Sequence, residues 1–249
     1  MGKLEGKVAV ITGGSTGIGL ASAMLFAQEG AMVFVTGRRQ VELDAAVKSI
    51  GPLAVGIRGD ISALADIDAL YEVVGERGRK IDVLFANAGG GSFRALEAID
   101  EAHYAATFDT NVRGTLFTVQ KALPYLQDGA SVILTGSTAA STGIPSFSVY
   151  SASKAAIRNF ARSWILELAA RRIRVNVLAP GATSTPGWHG LAPTSEVNEQ
   201  MIDMVRGATP LGRLAEPEEI ARVALFLASS DSSYVNGVEL FADGGSAQI

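Results

Sequence analysis

Short apolar runs recur along the chain, each hydrophobic at successive positions rather than alternate ones: KVAVIT, AMVFVT, LAVGI, IDVLFAN, ASVILT, IRVNVLAP and GVELFADG. Strands apolar on both sides are covered on both sides, the mark of a parallel sheet between two helical layers. Between the runs lie stretches such as GIGLASAMLFAQEG and ALADIDALYEVVGERG, where apolar residues return at three and four positions, the spacing of an amphipathic helix. The alternation predicts an α/β, doubly wound Rossmann fold with about seven mostly parallel strands and helices on both faces. A further helix is predicted from Val149 to about Arg171. The segment from Thr183 to Pro210 mixes Gly and Pro with a weakly amphipathic piece and is long for a connection, so it is read as a lid-like substrate loop.

The chain has 249 residues, 48% of them hydrophobic, enough for a sizeable core, and no repeat or linker divides it; one domain over residues 1–249 is expected. A net charge of −4 gives no footprint for nucleic acid. The absence of cysteine excludes disulfides, thiolate catalysis and cysteine-held metals, and two histidines cannot alone furnish a zinc site, so no metal is expected. No stretch has the apolar length of a membrane span, and MGKLEGKVAVITGG lacks a signal-peptide core; a soluble, cytoplasmic protein is the expectation.

In such a sheet, ligands bind beyond the carboxyl ends of the strands. The first strand runs into TGGSTGIG, where Gly13, Gly17 and Gly19 let the backbone turn and approach a pyrophosphate at a helix N-terminus. Ser15, Thr16 and Ile18 complete the loop as candidate cofactor contacts. The spacing departs from GxGxxG, so the placement between strand and helix carries the reading. The second strand ends in Gly37-Arg38-Arg39, with no carboxylate to accept from an NAD ribose. Two guanidiniums would welcome a 2′-phosphate, favouring NADP(H) over NAD(H), although they could also be a solvated loop. Asp60 and Ile61 follow the third strand, where Asp60 could accept from an adenine amino group or cap the next helix. After the fourth, Asn87, Ala88 and Gly89 open the small-residue run NAGGG, which would let backbone pass close to a flat ligand.

The stretch SVYSASKAAIR places Tyr150 and Lys154 four apart on one helix face. A phenol near pKa ~10 needs roughly 4 kcal/mol to titrate near neutrality. An ammonium about 4 Å away supplies about 4 kcal/mol at an effective dielectric of ~20. The pair alone is a weak signal, since a core tyrosine with a surface lysine has the same spacing. Ser137, ending the strand run ASVILTGS, strengthens it, because its hydroxyl could hold a carbonyl oxygen while Tyr150 donates the proton.

Taken in order, Thr12-Gly13-x-x-x-Gly17-x-Gly19, Asn87-Ala88-Gly89, Asn111, Ser137, Tyr150, Lys154, Pro180-Gly181 and Asp243-Gly244-Gly245 resemble the short-chain dehydrogenase/reductase family over nearly the whole chain. The resemblance implies that Tyr150 is the acid in reduction and the base in oxidation. It implies that Lys154 lowers the tyrosine pKa and binds the nicotinamide ribose, that Ser137 orients the substrate oxygen, and that Asn111, which alone reads as a helix cap, holds a water linking Lys154 to solvent. Pro180, Gly181, Thr183 and Thr185 would contact the nicotinamide end. The chain departs from the family pattern at Gly90-Gly91 and in TGST around the serine, which bears on pocket shape. Trp188 and His189 could shape the pocket from the lid, and His103 reads as a surface helix residue. Excess apolar surface on the helix carrying Tyr150, from Ile157, Phe160, Trp164, Ile165 and Leu168, predicts subunit packing, and the family implies a homotetramer. The terminal Gln248-Ile249 is too little for an intersubunit metal site.

The expected activity is NADP(H)-dependent hydride transfer between nicotinamide and a ketone or secondary alcohol of a small molecule. A 3-oxoacyl carrier-protein or thioester reductase and a non-catalytic NADP(H)-sensing protein stand as alternatives. The acidic Glu196, Glu199 and Asp203 of the lid give no basic patch for a carrier, and a sensor has no need of a tuned phenol.

Overall fold

The computed structural model describes residues 2–248. Seven strands form one parallel sheet: β1 (Val8–Ile11), β2 (Met32–Gly37), β3 (Ala54–Arg58), β4 (Ile81–Ala86), β5 (Leu126–Thr135), β6 (Arg174–Pro180) and β7 (Glu239–Ala242), in the order β3-β2-β1-β4-β5-β6-β7. The helices are α1 (Gly17–Gln28), α2 (Gln40–Ile50), α3 (Leu64–Glu76), α4 (Glu101–Phe108), α5 (Thr115–Ala122), α6 (Ser148–Glu167), α7 (Pro186–His189), α8 (Ser195–Ala208) and α9 (Pro217–Ala228).

The continuous apolar runs became strands because both faces are covered. Val10, Leu84, Val132 and Val175 meet α3, α5 and α6 through Ile67, Leu70, Val119 and Ile157. Ala9, Val33, Phe85 and Ile133 meet α1, α2 and α9 through Phe26, Leu43, Ile220 and Leu227. The architecture is therefore the doubly wound fold that the alternation predicts. β1 pairs with β2 on one side and β4 on the other, so the winding reverses there and a crevice opens past Ile11 and Phe85.

Local signals set the helix boundaries. Asp100 caps α4 by accepting from the His103 amide at 2.7 Å, and Glu216 with Glu219 forms a capping box around Pro217 at the start of α9. The Tyr150 helix ends at Glu167, short of the expected Arg171, because the chain tightens into a 3₁₀ turn over Ala169–Arg171 and Arg172 turns left-handed at φ 54°. β5 reaches back to Leu126, with a register shift against β4 between Ile81 and Val83. The Thr183–Pro210 segment holds two helices, α7 and α8, each started by a threonine cap (Thr185 and Thr194) within a Gly/Pro-rich context. No helix of the described residues is long and apolar enough to cross a membrane.

Candidate active site

The crevice begins at the end of β1. Thr12 is fully buried, and its Oγ1 accepts from the amides of Asn87 and Ala88, each at 3.1 Å. Asn87 returns two bonds from Nδ2, to the carbonyls of Thr12 at 3.0 Å and Gly13 at 3.3 Å. These bonds lock the ends of β1 and β4 together. Gly13 adopts φ +64°, and a Cβ there would lie 2.9 Å from the Ala88 Cα; a Cβ on Gly19 would overlap the Gly13 carbonyl. Only glycine permits this collapsed loop. Thr16 occupies the N-cap of α1 without a side-chain capping bond, so its hydroxyl and the first amides of the helix are left for an anion. Ser15 crowds Gly37 at the end of β2, and Thr185 lies against Gly17. Ile18 is partly buried against the core on one side.

Beyond β2 the arginines differ. Arg39 is paired with Glu42 on its own helix. Arg38 is 69% exposed, and its nearest carboxylate, Asp60 Oδ2, is 3.9 Å away. Asp60 uses Oδ1 to accept from the Ser62 amide and hydroxyl at 2.9 and 2.8 Å, closing a turn ahead of α3, whose own N-cap is Ala63. Ile61 is buried under Gly114. Arg58 donates from Nε to the Arg38 carbonyl at 3.3 Å, adding a third guanidinium beside the loop.

The second cluster forms past β4 and β5. Asn111 lies in a π-type turn, Asp109–Gly114, between α4 and α5, rather than at a helix cap. Its Oδ1 accepts from the Gly90 amide at 3.0 Å, and Nδ2 donates to the Gly90 carbonyl at 2.8 Å and to Ser153 Oγ at 2.9 Å. Ser153 Oγ in turn donates to the Tyr150 carbonyl at 2.6 Å. One amide therefore fastens the NAGGG loop to α6; π-type turns of this kind recur at functional sites. Lys154 is 3% exposed and donates from Nζ to the Thr135 carbonyl at 2.8 Å, 5.6 Å from the centroid of the Tyr150 ring. Gly89 backs onto both groups: a Cβ there would stand 3.0 Å from Asn111 Oδ1 and 3.2 Å from Lys154 Nζ. Ser137, just past β5, accepts from the Ala139 amide at 3.2 Å and places its hydroxyl beside the Tyr150 side chain.

The electrostatics differ from the simple two-charge picture. Enclosure by protein pushes the Tyr150 phenol above its ordinary value, against a smaller downward pull from the neighbouring Ser137 hydroxyl. Burial without a carboxylate partner pulls Lys154 down to about 8. Lys154 is set on the Thr135 carbonyl, not on the phenolic oxygen, so a lowered phenol needs a further positive charge or hydroxyl between them. The burial penalty on the ammonium is fully present below pH 8 and is relieved as pH rises toward 10.5. Relative to Lys154→Met, the cofactor-free protein should therefore gain up to about 3 kcal/mol of unfolding free energy across that window, read by denaturant titration. A pH-independent difference would refute the burial of a charged Lys154.

At the end of β6, the Gly181 amide donates to the Ala242 carbonyl at 3.1 Å, and Thr183 is held by a bridge to Ala215 and by its Oγ1 bond to the Gly181 carbonyl at 3.0 Å. Thr185 caps α7 by accepting from the Trp188 amide at 3.1 Å. Trp188 and His189 are partly buried and meet edge to face at 5.2 Å. His103 lies on α4 with Nδ1 3.4 Å from Ser92 Oγ. No group of three or more His, Asp or Glu side chains among the described residues could hold a metal, and the Gln248-Ile249 terminus lies partly outside them at Ile249.

The sheet thus gathers the glycine loop, Asn87–Gly89, Ser137, Tyr150, Lys154 and the 180–185 stretch along one edge. Sequence reading missed Thr12 as the clasp, Ser153 as the partner of Asn111, Thr135 as the acceptor for Lys154, and Arg58. Ser153 and Thr135 act through backbone or through a neighbour far along the chain, which no local motif reveals.

A family model described as "Enoyl-(Acyl carrier protein) reductase" matches residues 13–247. Oxidoreductase asL5 of Sarocladium schorii is 47% identical over 249 residues, covering 99% of this chain and 98% of that protein. A solved short chain dehydrogenase/reductase family protein is 38% identical with a TM-score of 0.88, covering 99% of this chain and 100% of that one. The 3-ketoacyl-(acyl-carrier-protein) reductase of Brucella melitensis, solved with NADH, is 32% identical with a TM-score of 0.89, over 98% of this chain and 99% of that one. Similarity this deep over nearly the whole length agrees with the edge of the sheet just described: the chain belongs to the short-chain dehydrogenase/reductase family of oxidoreductases.

Proposed function

We propose that the protein is an NADP(H)-dependent carbonyl reductase, reducing a ketone of a small molecule or oxidising the matching secondary alcohol. The observation that carries this reading is the meeting of Ser137, Tyr150 and a buried Lys154 beside the glycine loop. The residues fit a dinucleotide: the loop is collapsed enough that side chains at Gly13 and Gly19 would fill it, the first amides of α1 are free, and Arg38 is exposed and weakly paired where a 2′-phosphate would lie. A bound NADPH supplies the hydride that forms the new C–H bond.

The chain's own residues do the rest. Ser137 donates to the substrate oxygen and fixes its position. Tyr150, kept protonated by its enclosure, gives its proton to that oxygen as it becomes an alcohol, and Lys154 with a neighbouring water returns the proton. Asn111 holds Gly90 and α6 in register, so that the loop and the phenol keep their spacing. The α7–α8 segment covers the substrate, the protein is cytoplasmic, and subunits pack as a homotetramer through α6, where Phe160 stacks on Trp164 and Leu166 is exposed.

The similarity to a 3-ketoacyl-(acyl-carrier-protein) reductase favours a second reading, reduction of a carrier-bound 3-oxoacyl group. Cofactor oxidation followed with NADPH and NADH in parallel, against linear and cyclic ketones, aldehydes and 3-oxoacyl thioesters, separates the two. Turnover of free ketones with preference for NADPH is expected. Turnover of thioesters alone would establish the second reading, and tight NADPH binding without any turnover would point to a sensing protein.

A further inference from the structure

No residue of α8 is buried, although Val197, Met201, Ile202 and Val205 give it an apolar side and Met204 is 73% exposed. Packing alone therefore holds this helix weakly. Among the described residues, one side-chain hydrogen bond besides the Thr194 cap joins α8 to the rest of the protein: Asn198 Oδ1 lies 3.0 Å from His189 Nδ1. The other ring nitrogen, Nε2, lies 3.1 Å from Ser184 Oγ. An amide oxygen can only accept, so Nδ1 donates to Asn198, while Nε2 faces the Ser184 hydroxyl. The ring is further fixed by its edge contact with Trp188 and by the His189 amide, which donates to the Thr185 carbonyl at 3.0 Å.

The far end of this bridge is anchored. The Ser184 amide donates to the Ala215 carbonyl at 2.8 Å, and its neighbours are Thr183, in the bridge to Ala215, and Thr185, against Gly17 of the glycine loop. His189 thus spans from a helix with no buried residue to the stretch that runs along the glycine loop.

We propose that His189 is a positioning residue, a two-sided latch that fixes the lid helix α8 through Asn198 to Ser184 at the edge of the site, and so sets how tightly the substrate is held. The inference rests on the reading of α7–α8 as the substrate cover. A single side-chain hydrogen bond of this kind changes an equilibrium by about fivefold. His189→Ala and Asn198→Ala should each raise the substrate KM about fivefold, with kcat and the NADPH dissociation constant little changed. The double variant should be no worse than either single one, since both break the same bond. Asn198→Asp, which keeps the acceptor, should retain the wild-type KM. Additive losses, or an unchanged KM in both single variants, would overturn the latch.

Amide hydrogen exchange reads the same device without turnover. Exchange over residues 195–208 should rise about fivefold in His189→Ala while the strands stay protected. Unchanged exchange there overturns the proposal whatever the activity. If exchange rises but no carbonyl substrate is turned over by the wild-type protein, the latch stands and the carbonyl-reductase reading fails.

Discussion

Tyr150→Phe should lower ketone reduction roughly 10³-fold while NADPH binding, followed by cofactor fluorescence, stays near wild type. General acid catalysis by a positioned side chain contributes about 10²–10⁴-fold, and the proposed function gives that role to the phenol. The substitution is a clean probe because Phe preserves the ring that stacks on Phe147 at 4.5 Å and removes only the hydroxyl. The direction of its pH dependence follows from its surroundings. Enclosure raises the phenol's pKa, so the proton needed for reduction is present through neutral pH and is lost only in the alkaline range. Alcohol oxidation needs the deprotonated form and should climb over the range where reduction falls. Steady-state rates in both directions check this, and near-wild-type reduction by Tyr150→Phe would remove the phenol from the chemistry.

On the proposed function, Arg38→Ala should lower kcat/KM with NADPH about 10- to 100-fold and leave that with NADH nearly unchanged, the size expected for losing a charge-assisted hydrogen bond to a phosphate. Arg39→Ala has a much smaller effect, since its guanidinium is engaged by Glu42. Arg38 has only Asp60 at 3.9 Å and retains most of its exposure. Equal losses with both cofactors would mean that Arg38 shapes the loop rather than reads a phosphate.

The fold was legible because both sheet faces are covered, which turned each buried strand into a continuous apolar run that periodicity could find. The glycine loop and the Tyr150–Lys154 pair were legible because local spacing dictates their geometry: a turn into a helix in one case, adjacent positions on one helix face in the other. What spacing could not show was the balance of burial against charge. A sequence places an ammonium near a phenol; only the fold shows Lys154 turned to the Thr135 carbonyl and the phenol raised rather than lowered. Asn111 looked like a cap because a π-type turn has no sequence signature, and its partner Ser153 lies 42 residues away. The Thr183–Pro210 segment reads as a loop with a weakly amphipathic piece because Gly and Pro obscure the capped helices α7 and α8, and the His189 bridge depends on their relative placement.

The central claim is that this chain directs hydride onto a carbonyl carbon with Tyr150 as the proton donor. Its most direct test is the isotopic content of the product formed from NADPH carrying deuterium at both C4 positions and the ketone panel. The account predicts an alcohol carrying one deuterium at the carbinol carbon with the wild-type protein and almost none formed by Tyr150→Phe. Unlabelled alcohol, no alcohol from any ketone, or equal yields from the two proteins would contradict it.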